Sequence, residues 1–187
     1  MKPKIFGFGH RSRVGKDTAS GFLAGHIRQS TRNKLVVKTS FAAKMKAMTY
    51  DLYKWAGLQP ADYYETEQGA PYRDIKLEAI GKTPVEIWIE FGSTVGRAIF
   101  KDTWVNYPLN QKYDYLIISD VRFLNEVEGI RKLGGVVYKI EKADAPIRNS
   151  VADNELQDYT GWDGVLKNNG DLKEFGALVI DTFKGWL

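Results

Sequence analysis

Short apolar runs alternate with longer amphipathic stretches along this chain. Residues 4–8, KIFGF, read as a short strand, followed by a glycine-bearing turn and a helix over about 15–29. Residues 35–41, LVVKTSF, are rich in β-branched side chains and predict a second strand. Residues 42–56 have helical composition, and Gly57 stops them. Pro60, Gly69, Pro71 and Gly81 mark 58–83 as loop with a short helix or two. Pro84 suits the first turn of a helix. Beyond it Val85, Trp88, Gly92, Val95 and Ile99 recur at helical spacing and predict one inner face. Gly92 and Gly96 would let another element approach that helix closely.

The run 115–119, YLIIS, is continuously apolar, as in a strand buried on both faces. Asn125 with Glu128 three residues on has the pattern of a helix cap. Val127, Ile130 and Leu133 then form a stripe that Gly134 ends. Residues 136–140 read as another strand, 142–160 as a polar segment, and 164–166 as a last short strand. Asp171 caps a final helix with Leu172, Phe175, Val179, Phe183 and Trp186 on one face. Strands that alternate with helices predict an α/β fold with a parallel sheet.

Composition narrows the chemistry. The chain has 187 residues, which suits one domain. Hydrophobic residues make up 43% and charged residues 27%, a globular balance. There is no cysteine, so disulfides, thiolate metal sites and cysteine nucleophiles are excluded. His10 and His26 are the only histidines, too few for a multi-histidine zinc site. No apolar run approaches the roughly 18 residues of a spanning helix, and the apolar part of the first residues is too short for a signal peptide. A membrane role is not expected, and a reducing, cytoplasmic setting is compatible. The net charge of +4 is uneven: residues 1–60 carry 12 basic and 2 acidic side chains. Such a basic third can meet nucleic acid or the phosphates of small molecules.

The segment Gly9 to Thr18, GHRSRVGKDT, lies between a strand and a helix. A phosphate-binding loop needs small residues so that backbone N–H groups can wrap oxygens. It needs a lysine for the β- and γ-phosphates and an oxygen ligand near Mg²⁺. The helix N-terminus behind it adds its dipole. Gly15, Lys16 and Thr18 meet those needs. Two departures stand out: five residues, not four, separate Gly9 from Gly15, and Asp17 follows the lysine where Ser or Thr is usual. If the usual spacing is kept, His10 takes the first glycine's place.

Ser119-Asp120-Val121-Arg122 directly follows the buried strand. Ligands of open α/β sheets bind at the carboxyl ends of strands. Asp120 there can hold a metal or its water, and Arg122 can grip a phosphate with two N–H groups, which lysine cannot. Ser40-Phe41-Ala42 is a further strand end, with Lys46 on the helix behind it. Arg97, Trp104 and Arg73 are weaker candidates, whereas Trp88 and Trp186 read as core.

Taken in order, GKDT at 15–18, SFA at 40–42 with Lys46, FGSTVGR at 91–97, DTW at 102–104, SDVRFLNE at 119–126, GGVVYKIE at 134–141 and NNGDLKEF at 168–175 resemble the bacteriophage deoxynucleoside monophosphate kinases. These have the P-loop nucleoside monophosphate kinase fold. The resemblance covers nearly the whole chain, and SDVRF with NE, a helix and GGVV is its most specific part. It implies a single domain, 1–187, with a parallel five-stranded sheet flanked by helices. It also implies a helical substrate-binding insertion at 42–112 and a short lid at 142–160. ATP would be the phosphoryl donor, with Mg²⁺ at Asp17 and Thr18. Deoxynucleoside monophosphates would be acceptors, the protein a homodimer, and its setting the host cytoplasm.

The resemblance also suggests roles. Lys16, Asp17, Asp120 and Arg122 would carry catalysis. Arg13, Val14, Gly15, Lys16, Asp17 and Thr18 would hold ATP, with Arg148 as a lid arginine and Asn169 and Gly170 beside adenine. Lys46, Arg73, Arg97, Trp104, Arg122, Asn125 and Glu126 would hold the acceptor. Another phosphate-loop kinase acting on a phosphorylated metabolite would share these stations. A nucleic-acid-binding module using the basic third is the alternative of a different class. The absence of aromatic residues among Arg11, Arg13 and Lys16 argues against it.

Overall fold

Residues alternate across the first strand, β1 (Lys4–Gly9), and that alternation sets the layers of the fold. Phe6 and Phe8 point to one face, where both rings meet Phe183 edge-on at 5.3 and 5.6 Å. Gly7 points to the other, where a methyl group would press on Ile130 at 2.7 Å. Helices therefore cover both faces, as a sheet apolar on both sides requires.

The computed structural model describes residues 2–143, 145 and 154–186. Its strands are β1, β2 (Val36–Thr39), β3 (Tyr115–Val121), β4 (Val136–Glu141) and β5 (Gly164–Lys167). They form one sheet in the order β2-β3-β1-β4-β5, and every neighbouring pair is parallel. The strand leading into the glycine-bearing loop is thus the central one. Helices α1 (Lys16–Ser30), α6 (Leu124–Lys132) and α7 (Leu172–Phe183) flank the sheet. The architecture is the parallel α/β fold expected, with the strand–loop–helix unit of phosphate-loop proteins at its centre.

The chain divides into two compact units, Met1–Phe41 with Pro108–Leu187, and Ala42–Tyr107. The first holds the sheet, and its core gathers Phe6, Phe8, Leu23, Ile27, Ile117, Val179 and Phe183. The second is helical. It contains α2 (Ala43–Tyr53), α3 (Pro84–Glu90), a π-helical stretch Phe91–Gly96, α4 (Arg97–Ile99) and most of α5 (Thr103–Leu109). Met45, Leu58, Tyr64, Ile87, Trp88 and Trp104 make its core. Thr83 caps α3 by accepting from the Glu86 amide at 3.1 Å, and Glu86 returns the bond to the Thr83 amide at 2.7 Å.

Four local expectations are corrected. Val95 and Ile99 do not continue the inner face set by Trp88 and Gly92; they are 45% and 84% exposed. The π-helical stretch widens the turn there, so that Gly96, four residues after Gly92, faces inward instead. Helix α6 is capped at Phe123, not Asn125. Leu133 falls just past the end of α6 and is half exposed, as Gly134 turns the chain at φ +79°. In α7 the buried face is Phe175, Val179 and Phe183, while Leu172 and Trp186 lie at its exposed ends.

The close approach expected at Gly92 and Gly96 is made by Trp104. Its indole N–H donates to the Gly92 carbonyl at 2.8 Å, and a side chain at Gly96 would collide with its ring. Only 9% of Trp104 is exposed. The residue expected as a wall of the acceptor site is therefore a core residue of the helical unit. Trp104→Ala is expected to cost about 3–5 kcal/mol of stability and to leave any preference between acceptors unchanged. Denaturant unfolding beside acceptor competition checks both halves.

Candidate functional site

The loop from His10 to Gly15 needs backbone conformations that few side chains take. His10, Arg13 and Gly15 have φ of +94°, +59° and +101°. Only glycine adopts such angles without strain, and histidine is among the residues that tolerate them best. β1 runs through Gly9, and the turn begins at His10 with its positive φ. Gly9 is glycine for another reason: a methyl there would meet the Trp162 ring at 2.6 Å.

The ends of three other strands brace this loop. From the end of β3, Arg122 donates through Nη1 to Ser12 Oγ at 3.1 Å. From the end of β4, the Ile140 carbonyl lies 3.3 Å from His10 Nδ1. Beyond β5, Asn168 Nδ2 donates to the Val14 carbonyl at 2.9 Å. Gly15 must lack a side chain because Asn168 occupies that space. Val14 itself is anchored in the sheet unit's core, 1% exposed. Ser12 is a contributor that the sequence reading did not assign, and Asn168, read only as part of the loop after the last strand, holds this loop's backbone. Their signal was only their type, a short polar side chain at a strand end and in the loop.

Lys16 opens α1 and is 6% exposed. Its ammonium does not face outward as a ligand-facing lysine would; it donates to the Arg11 carbonyl across the loop. The left-handed residues curl the chain back over it. Asp17 is exposed and Thr18 half-buried in the same first turn. Arg13 is exposed at the loop's crest.

Asp120 and Glu126 are tied to backbone. Asp120 Oδ1 accepts from the Phe41 amide at 2.6 Å and so joins the exits of β2 and β3. Glu126 is 5% exposed, and its Oε2 accepts from the amides of Arg122 and Phe123 at 2.6 and 3.0 Å. The expected acceptor ligand Glu126 is thus a capping carboxylate. It fixes the backbone that carries Arg122 and lies at the positive end of α6. Asn125 is half-buried in the first turn of α6. Asn169 and Gly170 are exposed beyond β5, where Glu174 folds back to take the Asp171 amide at 3.0 Å.

In the helical unit Lys46 and Arg73 meet at the Trp88 ring, 4.6 and 5.7 Å from its centroid. Arg97 opens α4 and is half-buried. Arg148 lies outside the described residues.

His10 carries the site's clearest electrostatic signature. Burial holds its pKa below the ordinary histidine value of 6.5, and Lys139 and Arg11 push the same way; the Ile140 carbonyl and Glu141 oppose them. A folded-state pKa below the unfolded one means that the unfolded chain binds the proton first. The stability contributed by neutral His10 is therefore present above pH 6.5 and lost as pH falls below it. Melting temperature is expected to drop more between pH 7 and 5 in the parent than in His10→Gly. Parallel profiles would place the effect elsewhere.

Among the described residues no helix is long and apolar enough to cross a membrane. No family model matches the chain. Over 66 residues it is 38% identical to a protein of Acanthamoeba polyphaga mimivirus provisionally named deoxynucleotide monophosphate kinase. The match covers 35% of this chain and 34% of that relative, about a third of its length. Two crystal structures of plasmid partition proteins from Borrelia burgdorferi align over all of both chains. The one bound to AMPPNP has a TM-score of 0.39 at 15% identity, and the other 0.40 at 16%. Scores this low carry no weight for function, and the fold stands on its own strand order and register. What the chain shows by itself is the parallel sheet with a braced loop at the end of its central strand, and the match to the mimivirus protein is confined to about a third of each chain.

Proposed function

We propose that the protein transfers the γ-phosphoryl group of ATP to a deoxynucleoside monophosphate, giving the diphosphate and ADP. The observation that carries this reading is the bond between Ser12 in the loop and Arg122 at the end of β3. It keeps a guanidinium beside a phosphate-binding loop, in the crevice at the carboxyl ends of the strands where ligands of open α/β sheets bind. The partial likeness to the mimivirus protein supports the acceptor class.

The reaction breaks the bond from the γ-phosphorus to its bridging oxygen and forms one to an acceptor phosphate oxygen. That oxygen is already anionic, so no strong general base is needed. Catalysis becomes positioning plus neutralisation of charge. The amides around Gly15 and the start of α1 would bind the donor phosphates, with Lys16 leaving Arg11 to reach them. Arg122 would bridge donor and acceptor. Lys46, Arg73 and Arg97 would hold the acceptor's phosphate, and Asn169 and Gly170 would border adenine. A bound Mg²⁺ would neutralise phosphate charge. The Asp17 carboxylate and Thr18 hydroxyl are oxygen donors of the kind it takes. With two oxygen donors from the protein, the rest of the metal's shell would come from the nucleotide's phosphates and water. The protein would act as a homodimer and prefer deoxyribose.

The test is ADP release from ATP against a panel of nucleoside monophosphates, deoxy and ribo. Turnover is expected with at least one deoxynucleotide. Equal efficiency with its ribonucleotide would defeat the sugar preference. Turnover only with other phosphorylated metabolites would replace the acceptor and keep the kinase.

A further inference from the structure

The helix that begins at Pro84 has one inner face in its sequence and another in the fold. Val85, Trp88, Gly92, Val95 and Ile99 follow one another at three and four residues, the period of an unbroken α-helix. The fold buries Trp88, Gly92 and Gly96, and leaves Val95 and Ile99 45% and 84% exposed. The difference is the π-helical stretch Phe91–Gly96, whose wider turn takes up an extra residue. Side chains hold that turn open. A ladder that returns from i−5 to i−4 bonding passes over a carbonyl, and the Trp104 indole N–H donates to the Gly92 carbonyl at 2.8 Å. Ser93 Oγ donates to the Ile89 carbonyl at 2.7 Å, and Thr94 Oγ1 to the Glu90 carbonyl. Hydroxyls bonded back in this way weaken an α-helix. The Trp104 ring fills the place that a side chain at Gly96 would take.

An unbroken α-helix has support of its own. It would turn Val95 and Ile99 onto the face of Trp88 and take two large apolar side chains out of water. It would carry Gly96 outward and give up the Trp104 bond, and the surplus residue would pass into the turn at 100–102. We propose that Phe91–Ile99 is a two-register switch, π and all-α, that gates the acceptor through Arg97. A shift of one residue turns the chain beyond the stretch by about 100° and moves it about 1.5 Å along the axis. Arg97, at the start of α4, turns with it. A guanidinium turned so far cannot meet one phosphate equally in both registers, and such a difference is what lets a ligand shift a population. The π register is the competent one, because a π turn persists in a helix where function uses it. The gating rests on the acceptor reading above; the two registers do not. Loss of the Trp104 bond would act on every acceptor alike, which leaves the preference among acceptors untouched.

The experiment uses the full chain with ¹³C-labelled isoleucine and valine methyl groups. In the parent, relaxation dispersion at Ile99 and Val95 is expected to show microsecond-to-millisecond exchange with a minor state. Inorganic phosphate, or a deoxynucleoside monophosphate, is expected to quench it. No exchange at either residue overturns the switch. Gly96→Ala cannot keep the π register beside the Trp104 ring, and alanine suits an α-helix better. Relaxation of its Ile99 methyl by a soluble gadolinium chelate is expected to fall severalfold as the side chain leaves water. KM for the monophosphate should rise about tenfold, the effect of a competent state reduced to about a tenth. KM for ATP should stay within about twofold of the parent. An Ile99 methyl as exposed as the parent's, in a variant that melts like the parent, overturns the proposal. Ile99→Ser places a hydroxyl that only the all-α register would bury. It is expected to abolish the exchange at Val95 and to keep the parent's acceptor KM. If Gly96→Ala does not fold, Ile99→Ser decides: exchange that persists at Val95 overturns the switch. Exchange that neither phosphate nor monophosphate quenches overturns the gating while turnover keeps the kinase. Exchange quenched by phosphate, with no turnover of any monophosphate, ends the kinase reading and leaves the switch standing.

Discussion

Lys16→Ala is expected to lose about a hundredfold or more in turnover, the scale of removing one charge-stabilising group from a phosphoryl-transfer site. The expectation comes from where the ammonium is held. It sits inside the loop on the Arg11 carbonyl, in the first turn of α1, where the helix N-terminus favours anions. A lysine buried only to pack would be a poor choice, since burying an ammonium is costly without partners. The burial also means that the substitution can loosen the loop. Melting temperature must be read beside kcat. Lys16→Met fills the same space without the charge and separates the two effects. A Lys16→Met protein that melts like the parent and turns over like it would end the phosphate-loop reading.

Arg122 should show an effect at least as large. Arginines at a transferring phosphoryl group are worth on the order of a thousandfold or more, and Arg122→Ala is expected to approach that loss. Arg122→Lys keeps the charge but loses the planar fork, so it cannot hold Ser12 and a phosphate together. It should remain badly impaired, on the order of a hundredfold. Ser12→Ala is the control. It removes the brace but not the guanidinium, so it should cost far less than Arg122→Lys. If Arg122→Lys matches the parent, the arginine serves the loop only, and the acceptor clamp must be sought at Arg97 or Arg148.

The sequence by itself determined the order of elements and which strand ends face the chemistry. Apolar runs such as 115–119 report a strand buried on both faces because burial and backbone period are local properties. The glycines and lysine between β1 and α1 were legible for the same reason, since the demand for left-handed backbone and a helix N-terminus lies within ten residues. The tertiary structure decided what those residues touch. Asn168 locks the loop from 154 positions away, and Arg122 reaches Ser12 from 110. No periodicity encodes such pairings, because they follow from strand order and parallel register. Glu126 has the composition of a ligand and the work of a cap, since the turn before α6 presents two amides to it. Val95 and Ile99 have the spacing of core residues and are exposed, because the π-helical stretch shifts the inner face after Gly92. In sequence Trp88 reads as core and Trp104 as an acceptor-site candidate, yet both are buried in the helical unit's core. Only packing separates the indole bonded to Gly92 from the indole flanked by two cations.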